Sequence, residues 1–116
     1  MATYTRGLLS GSTNGRGIKV VQTATAGTTI HTAVAGTTDM QEVWLWAQNN
    51  HTAPVTLTLE WGNASTDDNI IVTVAAKSGL YLVAPGLMIQ NELVIKAFAS
   101  VANVIILHGY VNLLDY

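Results

Sequence analysis

The side chains able to ligate, to transfer protons or to attack a carbonyl are sparse in this chain and badly spaced for chemistry. His31 and His108 fall inside alternating apolar stretches, and His51 falls in a polar turn. A metal centre needs three or four ligands converging, usually with two at short spacing. No such spacing is present, so structural roles are expected for all three histidines. Ser10, Ser12, Ser65, Ser78 and Ser100 stand in loops or in the N-terminal segment. A serine nucleophile needs a base and an orienting group within reach, and none of the five sits in a G-x-S-x-G elbow. Glu42 and Glu60 could face each other across neighbouring strands as a carboxylate pair for glycoside hydrolysis. Like charges directly opposite weaken a sheet, however, and no cleft is implied. Asp67, Asp68 and Asn69, with Asn63 and Ser65 nearby, form the one cluster of hard oxygen ligands. The EF-hand spacing is missing, so a solvated loop is expected there. No catalytic residue, no cofactor and no metal ligand is assigned, and a non-enzymatic protein is expected.

What remains is aromatic. All three tryptophans lie within residues 42–61, EVWLWAQNNHTAPVTLTLEW. Side chains of a strand alternate between faces, so Val55, Leu57, Leu59 and Trp61 share a dry face opposite Thr56, Thr58 and Glu60. Residues 43–47 differ, because Val43, Leu45 and Ala47 oppose Trp44 and Trp46. A strand apolar on both sides must be covered on both. One cover is the domain's own core and the other is a partner. The sequence leaves open which of the two faces of residues 43–47 is core. Exposed tryptophans serve two binding chemistries: stacking on sugars, and anchoring a protein interface in which each ring buries roughly 150–250 Å².

Composition points to the interface. Charged residues make up 10% of the chain, against about 25% in an ordinary soluble domain. Such neutral surfaces suit proteins that work packed against others. The five basic residues are scattered, which gives no footprint for nucleic acid and no polybasic membrane patch. No apolar run approaches the roughly 18 residues of a spanning helix, and the first residues lack the apolar centre of a secretory signal. Cysteine is absent, which removes disulfides and thiolate metal sites.

The elements that must position the tryptophans are strands. Residues 1–17, rich in Gly and Ser, read as a flexible N-terminal arm, followed by one domain over residues 18–116. Leu8 and Leu9 would anchor that arm on a neighbour, and Arg6 and Arg16, the only arginines, would engage an acidic surface. Strands are expected at residues 18–23, 28–34, 39–48, 54–61, 70–76, 79–84, 92–99 and 103–113, with a short edge piece at 87–90 after a break at Pro85-Gly86. Eight or nine short strands at such spacing predict an all-β, antiparallel β-sandwich of jelly-roll-like form. In such a fold the strands at 39–48 and 54–61 need not be neighbours in one sheet.

From about residue 18 to residue 113 the chain resembles a group of small bacteriophage virion proteins. The likeness is carried by the turn Val34-Ala35-Gly36-Thr37-Thr38, the strand from Val43 to Asn49, and the strand from Pro54 to Leu59. It continues in Glu92 to Ala97 and in the approach to Gly109-Tyr110-Val111. The resemblance implies a capsid decoration (cement) protein, made in the host cytoplasm and placed on the capsid exterior. It also implies a homo-oligomer, a trimer, that contacts the major capsid protein and binds no nucleic acid or membrane. Trp44, Trp46, Leu8, Leu9, Arg6 and Arg16 would be its contact residues. Two rival functions stay open: a carbohydrate-binding module of a tail or spike, and a head–tail or tail connector subunit.

Overall fold

A strand with one apolar side needs a second sheet to cover it, and a computed structural model describing residues 3–116 shows how that cover is made. Nine antiparallel strands occur among these residues. They are β1 (Thr3–Leu8), β2 (Ile18–Lys19), β3 (Thr28–Thr32), β4 (Met40–Asn49), β5 (Val55–Trp61), β6 (Asn69–Val74), β7 (Tyr81–Ile89), β8 (Val94–Ala99) and β9 (Ile105–Asp115). The first sheet has the order β1-β9-β4-β7, with β2 also on β9, and the second has the order β3-β8-β5-β6.

Because β1 and β2 both pair with β9, they count as one interrupted strand. The pairs β1/β2–β9, β3–β8, β4–β7 and β5–β6 then form a single long hairpin whose tip is the 62–68 connection. Rolling that hairpin lays β9 beside β4 and β8 beside β5. This is jelly-roll strand order, and the expected all-β sandwich is what the chain forms.

Val43, Leu45 and Ala47 of β4 point into the sandwich and are fully buried, in one core with Val55, Leu57 and Leu59 of β5. The open question about β4 is thereby answered: the Trp44 and Trp46 side is the outer one. The two strands lie in opposite sheets and do not form a hairpin. Asn49 stabilises the crossing between them. Its buried amide donates to the carbonyls of Ala53 (3.1 Å) and Val74 (2.9 Å), and its Oδ1 accepts from the His51 N–H.

Three expectations are corrected. The break at Pro85-Gly86 is absent, because β7 runs through both residues. β7 is an edge strand, where a missing proline N–H removes no ladder bond. Gly86, at φ 78°, is the extra residue between the pairs Val43↔Leu87 and Trp44↔Pro85, as in a glycine bulge.

The flexible arm is the second correction. Residues 1 and 2 lie outside the described residues, but Thr3–Leu8 is strand β1, in continuous register with β9 from Thr3↔Asp115 to Leu8↔Tyr110. All six of its residues are exposed, so backbone pairing rather than burial holds it. Leu9, expected to grip a neighbour, is only 2% exposed and belongs to this chain's own core. The next residues fasten the segment to the second sheet: Gly11 N–H donates to the Ile30 carbonyl (3.0 Å), and Thr32 N–H donates to Ser10 Oγ (2.8 Å).

The wet side of β5 is the third. Thr56 is exposed as expected, but Thr58 and Glu60 are buried, Glu60 at 2% exposure. The segment before β3 lies over this glutamate, whose carboxylate accepts from the Gly27 N–H (2.6 Å) and the Thr25 hydroxyl. Glu42 and Glu60 therefore sit on opposite outer faces of the sandwich and make no carboxylate pair. Glu60→Ala leaves the Gly27 N–H and Thr25 hydroxyl without acceptors, a loss of about 2–3 kcal/mol. The denaturant midpoint is expected to fall at unchanged m-value, and Glu60→Gln, which keeps an acceptor oxygen, is expected to recover more than half of the loss.

Candidate interface on the outer face of the first sheet

Register decides which side chains share the tryptophan face. Across the central β4–β9 pair, Glu42 lies opposite Asn112, Trp44 opposite Tyr110, and Trp46 opposite His108. On the far side of β9, Arg6 lies opposite Asn112 and Leu8 opposite Tyr110. On the far side of β4, Glu42, Trp44 and Trp46 meet Met88, Pro85 and Leu82 of β7. Period two thus collects residues far apart in sequence onto one surface.

The three central rings form one platform. Trp44 and Trp46 stack with centroids 6.2 Å apart, Trp44 and Tyr110 stack at 6.4 Å, and Tyr110 lies 6.0 Å from Trp46. All three are half-buried, each packed by its neighbours and open on the outside. The Arg6 guanidinium lies 4.5 Å over the Tyr110 ring, a cation–π contact. Around the platform stand Leu8 (58% exposed), Leu82 (41%) and Met88 (42%). Their breadth matters more than any single value, because scattered exposed apolar residues are ordinary and a contiguous group is not.

A polar network fixes the rim. Glu42 Oε1 accepts from Trp44 Nε1 (2.8 Å), Asn112 Nδ2 (2.9 Å) and the Tyr4 hydroxyl (3.0 Å). Asn112 Oδ1 in turn accepts from Arg6 Nε (3.2 Å). The Trp44 indole N–H leads the causes that hold the Glu42 carboxyl below its ordinary value, followed by Asn112 and Tyr4. Three donors on one oxygen keep that group ionised and the Trp44 ring in one orientation.

Beyond Trp46 the face turns polar. His108 Nε2 lies 2.9 Å from Gln48 Oε1, and Gln48 Nε2 donates to Asn50 Oδ1 (2.9 Å). These three line a cavity of about 480 Å³ together with Asn49, Lys77, Gly79 and Leu80.

Of the six contact residues expected from sequence, the fold brings Trp44, Trp46, Arg6 and Leu8 onto this face. Leu9 is withdrawn into the core. Arg16 is exposed in a turn closed by its own N–H on the Thr13 carbonyl (3.0 Å), and its side chain makes no contact with the three rings. Sequence reasoning missed Tyr110, Glu42, Asn112, Leu82 and Met88. The alternation of Tyr110 and Asn112 against Leu107 and Val111 was a usable signal for β9, but their pairing with β4 was not.

Elsewhere, Asp67 and Asp68 lie in a 3-10 turn (Thr66–Asp68) capped by Ser65, whose Oγ accepts from Asp67 N–H. Among the described residues no group of three histidines or carboxylates is placed to hold a metal. Compared with protein-family models, curated proteins and solved structures, the chain matches none of them.

Proposed function

We propose that this chain is a non-enzymatic structural protein of a virion that assembles with copies of itself through the outer face of its first sheet. One observation carries the assembly reading: an aromatic platform of Trp44, Trp46 and Tyr110 stands open to solvent inside a ring of exposed Leu8, Leu82 and Met88. A sugar site surrounds its aromatic ring with hydrogen-bonding groups, whereas an aliphatic surround with a polar rim is the anatomy of a protein interface. Aromatic anchors at the centre of such a patch carry most of its binding free energy. The low charge of the chain agrees with surfaces that spend their time covered.

The virion assignment rests on the resemblance of residues 18–113 to phage virion proteins. Jelly rolls build viral capsid and lectin domains alike, so fold alone does not choose between them. In this reading the chain is a capsid decoration or cement protein, a trimer seated on the major capsid protein. Static light scattering at tens of micromolar tests it: a trimer is expected, and a clean monomer sinks the assembly reading. Incubation with undecorated capsids tests the placement, with co-sedimentation expected at a fixed ratio to the capsid protein.

The amide-lined cavity beyond Trp46 favours one rival, a carbohydrate-binding face. Quenching or a blue shift of tryptophan emission by one member of a glycan panel would support that rival.

A further inference from the structure

The imidazole of His31 is the buried titratable group that the assembly reading leaves unused, and its hydrogen bonds fix its protonation state. Ser10 N–H donates to Nδ1 at 2.9 Å. Nε2 lies 2.8 Å from Gln41 Oε1, which also accepts from the Val34 N–H at 2.9 Å. Gln41 therefore acts as an acceptor toward both, Nε2 carries the proton, and Nδ1 must be bare. A second proton on Nδ1 would point at the Ser10 N–H, donor against donor. That N–H lies beside Leu9, in the stretch where residues 9–11 fasten the N-terminal strand to the second sheet.

We infer that His31 is an acid-sensitive latch: protonation at Nδ1 detaches residues 9–11 from β3 and loosens β1, taking Arg6 and Leu8 off the aromatic face. As a control over that surface, the inference rests on the assembly reading; as a latch, it stands on the geometry alone. β1 is suited to release, since all six of its residues are exposed and β9 is its one strand partner. The turn at residues 13–16, with Gly15 at φ 85°, supplies a hinge.

The groups facing the ring are neutral from every side. Ser10 comes from the N-terminal segment, Gln41 from β4, and Ile95 is its register partner on β8. The charged side chains on neighbouring segments, Lys96, Glu92 and Asp39, do not act on it, for burial and the Gln41 bond are the influences on the ring. Lys96 and Glu92 line a cavity with Glu60, and Asp39 accepts from the Tyr116 N–H. Burial is the larger influence on the ring and lowers its proton affinity below the ordinary value of 6.5, with Gln41 opposing. The sign follows directly. The released state binds the proton more readily, so the latch holds above about pH 6.5 and weakens as pH falls below it.

Amide hydrogen exchange at Ser10 and Gly11, corrected for intrinsic rates, tests this on the intact chain. Protection is expected to fall by up to about tenfold per pH unit below the onset, while Leu57 and Leu45 amides stay protected. Gln41→Glu places a carboxylate on Nε2, stabilises the imidazolium in the closed state, and is expected to shrink or abolish the acid loss. His31→Asn, which keeps an acceptor near the Nδ1 position, is expected to flatten the profile. Protection that is constant from about pH 7.5 to about pH 4.5, or an acid loss undiminished by Gln41→Glu, would overturn the latch. Light scattering at each pH separates the two ideas. Acid release in a protein that is monomeric at every pH sinks the assembly reading and keeps the latch. An oligomer untouched by acid, although residues 9–11 are released, overturns the latch as a control over assembly.

Discussion

Trp44→Ala and Trp46→Ala are each expected to convert the proposed assembly to monomers while the subunit stays folded. Both rings lie on the outer side of β4, so truncation opens no hole in the sandwich core, where Val43, Leu45 and Ala47 remain. Inside the subunit each ring contributes its stacking, worth about 0.5–1.5 kcal/mol per pair. Trp44 adds its bond to Glu42, worth about 1.5–3 kcal/mol for a charged acceptor, less at this open rim. A buried interface anchor is worth about 2 kcal/mol or more each time it appears, and the proposed trimer would contain it three times. Association should therefore weaken by at least about tenfold to a hundredfold per interface. The melting temperature of the subunit should fall by about 4–15 °C, with Trp46→Ala at the smaller end. Light scattering and thermal melting on the same samples decide the matter. Parallel loss of both would make the platform part of the fold rather than a contact surface.

Gly109→Ala should be the most damaging single substitution to the subunit itself. Gly109 lies opposite Leu45 at the centre of the longest strand pair. A methyl group there would land on the Trp44 carbonyl oxygen and within 3.1 Å of Leu45 Cδ2. The obstacle is mostly backbone, which cannot swing aside, so β4 and β9 must part at the middle of the first sheet. A loss of about 4 kcal/mol or more is expected, a large share of the stability of a domain this size. Gly7→Ala is the control. Its methyl group meets only Val111 Cγ2, at an ordinary 3.7 Å, and a change within about 0.5 kcal/mol is expected. A denaturation midpoint for Gly109→Ala close to that of Gly7→Ala would show that the β4–β9 approach is looser than described.

Which features were readable from sequence follows from where each one stores its information. β4 and β5 announced themselves, because burial of one face writes a period-two pattern into the residues. Thr58 and Glu60 misled for the same reason in reverse. They occupy a wet-face register, and the segment carrying Thr25 and Gly27, which the fold lays over Glu60, leaves no mark in that pattern. β1 was invisible, since its pairing uses main-chain groups that every residue possesses and its side chains stay exposed. Half of the platform could be anticipated from Trp44 and Trp46 on one strand. Tyr110, Asn112 and Arg6 could not, because their place depends on a roll-up that lays β9 between β1 and β4.

That roll-up also sets an order of events. Arg6 and its partner Asn112 are 106 residues apart, and a ribosome adding about 5–20 residues per second needs roughly 5–20 s to connect them. The hairpin can zip from its tip at β5–β6 outward, and the β1–β9 rung, farthest from the tip, closes last. Through that interval β1 waits as a strand without a partner, when an apolar edge would invite pairing with the wrong chain. Its composition suits the wait: Thr3, Thr5 and Gly7 on one side, and an arginine in the middle of the other. The low burial that hid β1 in the sequence is thus what keeps the nascent chain solitary. The face bearing Arg6 and Leu8 is completed only once β9 has been made, so that surface exists only on the finished molecule.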